Sequence, residues 1–187
     1  MGQRVVEAVV ADDGRSARTL DAFETLSDRC LDDSYRLASV VLRDPVEAED
    51  LVHDAVLISW RKFGALRDPA RFDAWFGRIV LNLCRDRLRA RGRGRIREAQ
   101  LGAAMERGRR DDFGSVAQRD ALAVAFPKLD PDLQLVVALR FYRDLPLEAI
   151  SELLGIPLGT VKSRLHTGLK RLRTELDRIG WRGENEL

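Results

Sequence analysis

Apolar residues recur at helical spacing along most of the chain, and no stretch alternates with the period of two that a half-buried strand needs. The most sustained pattern lies near the C-terminus, where Leu158, Val161, Leu165, Leu169, Leu172, Leu176 and Ile179 follow at intervals of three and four. A shorter apolar face, Ile150, Leu153 and Leu154, precedes it. Pro146 suits the first turn of that shorter helix, where a missing N–H costs nothing. Gly155 can take the left-handed conformation that ends a helix, and Pro157 permits a new start. Residues 145–172 therefore read as helix, tight turn, helix.

Upstream, Phe23, Leu26, Leu31, Tyr35, Leu37, Val40, Val41 and Leu42 predict a helix from Leu20, which Asp44-Pro45 interrupts. A second helix is expected from Val46 to Phe63, with Leu51, Val52, Ala55, Val56, Ile58 and Trp60 inward. A loop, Gly64 to Ala70, leads to a third helix from Arg71 to about Arg91, burying Phe72, Trp75, Phe76, Ile79, Val80, Leu83 and Leu88. Arg91-Gly-Arg-Gly-Arg95 cannot sustain a core, so 92–115 reads as a solvated linker with transient helix around Ile96 to Met105. Helices resume at Val116 to Phe126 and Asp130 to Tyr142, where Asp130-Pro131 matches an N-cap followed by proline. The expected fold is all-α, with two small helical domains at 20–91 and 116–180. Flanking tails at 1–19 and 181–187 and the flexible linker complete it.

The formal charge of +2 over 187 residues conceals an asymmetry. Between Ala11 and Asp54 twelve acids oppose five arginines, a net of −7, whereas between Arg85 and Arg110 ten arginines oppose three acids, a net of +7. The first segment should repel nucleic acid and the second attract it. Cys30 and Cys84 are the only cysteines and make no C-x-x-C pair. The count allows one disulfide, and reduced thiols of a cytoplasmic protein are the preferred reading. His53 and His166 are widely separated, with no nucleophile or paired base at sensible spacing. No catalytic residues, metal site or cofactor are expected. No apolar run reaches the ~20 residues that span a bilayer, so no membrane insertion is expected.

At about 100° per residue, the face of the last helix opposite its apolar stripe carries Thr160, Ser163, His166, Thr167, Lys170 and Arg171, with Lys162 and Arg164 on its flanks. Short hydrogen-bonding groups near the helix start, with cations behind them, suit a helix entering a major groove. The words Leu154-Gly155-Ile156-Pro157 and Gly159-Thr160-Val161-Lys162-Ser163-Arg164-Leu165 closely resemble region four of the extracytoplasmic-function sigma factors of bacterial RNA polymerase. That resemblance assigns Thr160, Lys162, Ser163, Arg164, His166, Thr167, Lys170 and Arg171 to a minus-thirty-five contact.

The first domain is similar to the same family. Ala48-Glu49-Asp50-Leu51-Val52-His53-Asp54 with Trp60 looks like its polymerase-docking helix, and the resemblance makes Glu49, Asp50, His53 and Asp54 a docking surface for core polymerase. Phe72-x-x-Trp75, then Arg78-Ile79-Val80-Leu81-Asn82 and Asp86-Arg87-Leu88-Arg89, looks like the helix that melts the promoter and reads the minus-ten element. Phe63 and Phe72 bracket a loop that could form a base pocket, Asn82 falls where strand-separating contacts are made, and Arg78, Arg85 and Arg89 could line phosphates. Trp60 and Trp75 are read as core anchors rather than stacking platforms.

Two matching modules in the family's order imply a sigma factor that binds core RNA polymerase and recognises and opens promoter DNA. The resemblance also implies an anti-sigma partner. The rival reading is a stand-alone helix-turn-helix regulator with an N-terminal sensing or dimerisation domain, which offers no reason for the Trp75 to Arg89 motif.

Overall fold

The computed structural model describes residues 17–100 and 116–181, and all regular structure among them is helical, as expected. Two compact units divide the chain between Asp86 and Arg87. Helix α1 spans Ala17–Leu42, α2 Pro45–Lys62 and α3 Phe72–Gln100; α4 spans Val116–Ala125, α5 Pro131–Phe141, α6 Leu147–Leu154 and α7 Leu158–Arg178. Of the tails expected at 1–19 and 181–187 and the linker expected at 92–115, residues 1–16, 182–187 and 101–115 lie outside the described residues, while 17–19 already belong to α1.

In the first unit α1 turns into α2 within two residues. Arg43 takes a positive φ of 55°, and the Asp44 carboxylate accepts the N–H groups of Val46 and Glu47 at 3.0 and 3.1 Å. With Pro45 in the first turn, this cap satisfies donors that a helix start leaves orphaned. The buried side chains come from three helices: Phe23, Leu37, Val41 and Leu42; Leu51, Ala55, Val56 and Trp60; Phe72, Phe76, Val80 and Cys84. Ser27 and Ser59 are also buried, and each hydroxyl donates to a carbonyl of its own helix, at 3.1 and 2.8 Å. Tyr35, expected on the apolar face of α1, is exposed instead.

Helix α3 does not stop at Arg91. It continues through Gly92 and Gly94 to Gln100. Each glycine costs a helix about 1 kcal/mol against alanine, but the interleaved arginines are good helix formers, and a helix already nucleated adds one hydrogen bond per residue.

In the second unit α4, α5 and α7 share two apolar clusters. Ala121, Ala125 and Leu176 pack with Leu122, Leu172 and Trp181; Leu129, Leu133 and Val137 pack with Phe126, Leu165 and Leu172. Trp181, expected to begin a tail, instead packs half-buried against the first cluster, and its backbone N–H donates to the Leu176 carbonyl at 3.1 Å. Asp130 and Pro146 both occupy N-cap positions, and neither caps with its side chain. Pro146 thus stands one residue before the helix rather than in its first turn. Gln134 is buried and donates to the Leu129 carbonyl at 2.7 Å, closing the turn before α5.

Candidate nucleic-acid interface

The loop between α2 and α3 is pinned at its neck by aromatic rings. Phe63 and Phe72 meet at 6.0 Å between centroids, and both stand edge-on to Phe23 of α1, at 5.2 and 5.8 Å. Trp60 packs edge-on to Phe23 at 5.2 Å, and Phe76 stacks on Phe72 at 5.7 Å. Such pairs add about 0.5–1.5 kcal/mol each beyond their burial. Between the pinned ends Gly64, Ala65, Arg67, Asp68, Pro69, Ala70 and Arg71 are exposed. The Asp68 carboxylate accepts the Ala70 N–H at 3.0 Å, so the loop keeps its shape through local bonds.

Phe72, expected among the contact residues, is completely buried and has no ring face to offer a ligand. Its part is to anchor the loop, as Phe63, half-buried, does from the other end. The signal for this lies in α1: Phe23, one apolar position among many in the helical pattern, is the ring on which both ends close. Trp60 is a core anchor as expected, and Trp75 is half-buried against Phe72 at 5.6 Å.

A second tie fixes the start of α3. Asp73 accepts the Cys30 thiol at 3.4 Å and an Arg29 N–H at 3.3 Å, linking α1 to the turn that follows the loop. Burial, then the Asp73 carboxylate, pushes the Cys30 thiol up to about 12. Both cysteines are free and buried. Farther along α3, Arg78, Asn82 and Arg85 recur at spacings of four and three on one face, and Asn82 Oδ1 accepts from Arg85 at 3.3 Å. Arg89 continues that spacing on the same helix. On α2, Glu49, Asp50 and His53 are exposed and Asp54 is half-exposed, opposite the buried Leu51, Val52, Ala55 and Val56.

In the second unit the turn before α7 forms as expected. Gly155 sits at φ 64° and ψ 36°, and its neighbours close the turn through Ile156 N–H to Ser151 O at 3.2 Å and Ser151 Oγ to Ile156 O at 2.6 Å. Helix α7 then presents Lys162, Ser163, His166, Thr167 and Lys170 to solvent, with Thr160 half-buried. Arg164 and Arg171, expected on or beside that face, turn toward α5. Arg164 pairs with Asp132 at 3.2 Å, and Arg171 pairs with Asp130. Asp132 is also 3.5 Å from Arg89, within the same unit.

Between these two arginines Gly168 is buried against α5. A β-carbon there would lie 3.0 Å from Val137 Cγ2 and 3.6 Å from Leu133 Cβ. Leu169, expected inward, is correspondingly exposed. Arg173 is not among the residues expected from sequence. It is exposed and, with Lys162, His166 and Lys170, completes a spacing of four, four and three on one face, which the helical period alone could have shown.

Comparison with known proteins accounts for both units. Residues 26–94 match the family model described as Sigma-70 region 2, and residues 125–174 match Sigma-70, region 4. The RNA polymerase sigma-E factor of Streptomyces antibioticus is 34% identical over 134 residues, covering 72% of this chain and 73% of that protein. The ECF RNA polymerase sigma factor SigL of Mycobacterium tuberculosis is 30% identical over 148 residues, covering 78% and 84%. Among solved structures, the sigma factor RpoE of Bartonella quintana, in complex with the anti-sigma factor NepR, superposes with a TM-score of 0.58 at 25% identity, covering 80% of this chain and 92% of that one. The chain belongs to the extracytoplasmic-function sigma factors of the sigma-70 family.

Proposed function

We propose that this sigma factor docks on core RNA polymerase through the outward acids of α2, Glu49, Asp50 and Asp54 with His53. It then captures unstacked promoter bases with the 64–71 loop and the Arg78, Asn82 and Arg85 face, and reads the minus-thirty-five element with α7. Lys162, Ser163, His166 and Thr167 meet base edges there, while Lys170 and Arg173 meet phosphates. The observation that supports this most directly is the outward face of α7. It is polar and cationic from Lys162 onward and follows a glycine-closed turn after α6. The chain acts in the cytoplasm as a binding factor and makes or breaks no bonds itself. The NepR complex of the solved relative supports an anti-sigma partner here.

Permanganate footprinting on genomic promoter fragments, with and without core polymerase, tests the reading. The isolated chain should bind weakly and in a salt-sensitive manner, because its phosphate contacts are made by exposed charges and the acidic segment repels DNA. Adding core should make thymines near the start site reactive. Bound sites that stay closed in the presence of core would exclude a sigma role and leave the stand-alone regulator.

A further inference from the structure

Helix α7 is seated on α5 along one stripe, and the two sides of that stripe differ in kind. Along the centre Gly168 brings the two backbones close, with Val137 and Leu133 facing it. On one side Leu165 and Leu172 pack into the cluster of Leu129, Leu133 and Val137. On the other, Arg164 one turn before Gly168 and Arg171 about one turn after it reach the acids that open α5. A glycine offers no side chain to interlock, and apolar packing has no preferred direction. The contact therefore resists separation of the helices better than rolling of α7 about its own axis. Charge-assisted hydrogen bonds are directional, and two of them on the same flank oppose that roll.

The angle matters because the outward side chains amplify it. A side-chain tip lies about 6 Å from a helix axis, so a roll of about 10° carries it through roughly 1 Å. Hydrogen bonds span a window of only about 0.5 Å. Asp130 is drawn into opposing the roll. It occupies the N-cap of α5 but makes no capping bond, and its carboxylate goes to Arg171.

We infer that Asp130 and Asp132 are positioning residues for minus-thirty-five recognition, setting through Arg171 and Arg164 the rotation at which α7 presents Ser163 and His166. The inference rests on the reading of α7 as the base-reading helix. On this view Arg164 and Arg171 serve the seat of the helix and are not phosphate ligands.

The test uses the full chain assembled with core polymerase, and promoters selected by the wild-type holoenzyme from a library randomised in the minus-thirty-five segment. The Asp130→Asn/Asp132→Asn variant should lose about tenfold in discrimination between the best sequence and its single-base variants, the worth of about one base contact. Its helicity, its affinity for core and the slope of log affinity against log salt should be unchanged. Exchanging one pair, Asp130→Arg with Arg171→Asp, should keep discrimination within about twofold of wild type, while Arg171→Asp alone should lose it. Unchanged discrimination in the double asparagine variant overturns the inference. So does failure of the exchange to preserve discrimination. A salt slope steeper by about one unit per released arginine overturns it too, since it would make the arginines phosphate ligands held back by the acids. A Ser163→Ala/His166→Ala control separates the two levels: if its base preferences match wild type, the parent reading of α7 fails instead.

Discussion

Gly168 and Val137 stand so close that a single added methyl group would meet the valine Cγ2 at 3.0 Å. Valine is stiff about χ1 and cannot swing aside cheaply. In Gly168→Ala the helix gains about 1 kcal/mol of propensity, but overpacking costs about 1–3 kcal/mol. The expected net effect is a loss of about 1 kcal/mol in denaturant unfolding of the second unit. Val137→Ala makes room, so Gly168→Ala added to that background should be neutral or stabilising. A cycle with no coupling between the two sites would show that α7 can shift without resistance.

The burial of Phe72 separates architecture from recognition in the first unit. Phe72→Ala should destabilise that unit by about 3–5 kcal/mol, the cost of emptying an aromatic core position. Arg67→Ala, on the exposed arc of the same loop, should change stability by less than about 0.5 kcal/mol. Thermal unfolding of the two variants, read beside promoter opening, tells loop support from loop contact. Similar melting temperatures for both would contradict the aromatic neck.

The acids of α2 should matter for assembly and little for folding. In Glu49→Lys/Asp50→Lys the reversed charges oppose the helix dipole at a cost of about 1 kcal/mol or less. Affinity for core polymerase should fall, and the loss should shrink as salt rises, because exposed charges steer association. Binding titrations at two ionic strengths check this; equal affinity for variant and wild type would remove the face from the interface.

Cys30 carries a pH signature. Its thiol has an ordinary value of 9.0 and is pushed up to about 12 in the fold, first by burial and then by Asp73. The unfolded chain releases this proton near 9, while the folded chain holds it. The stability contributed is complete below pH 9 and is lost as pH rises from 9 through 12. Native protein at pH 8 should therefore react slowly with a thiol reagent. Asp73→Asn, which removes the carboxylate and leaves Arg29 nearby, should speed the reaction. Cys30→Ser should flatten the fall in stability just above pH 9. Rapid labelling of Cys30 in the folded wild type would refute the buried, carboxylate-facing thiol.

Local rules make most of the helices legible in the chain. The break at Asp44-Pro45, the left-handed Gly155 and the helix from Leu158 onward are each settled by a few adjacent residues and form as expected, although Leu169 and Ile179 of the expected apolar stripe are exposed. The outward acids of α2 follow from the same periodicity. A periodic pattern fixes which residues lie opposite one another on a helix, but it does not say what a long or small residue meets across space. Arg164 and Arg171 fall by periodicity among the cations of a groove-facing surface, yet their partners sit 32 and 41 residues earlier. Phe72 is hidden because Phe23 of another helix closes over it. Gly168, silent in any hydrophobic pattern, is where α7 approaches α5, and Trp181, expected to open the 181–187 tail, packs against the Ala121, Ala125 and Leu176 cluster. These outcomes depend on which helices come together and at what separation. That is settled by burial and by long side chains finding charge partners once the chain has folded.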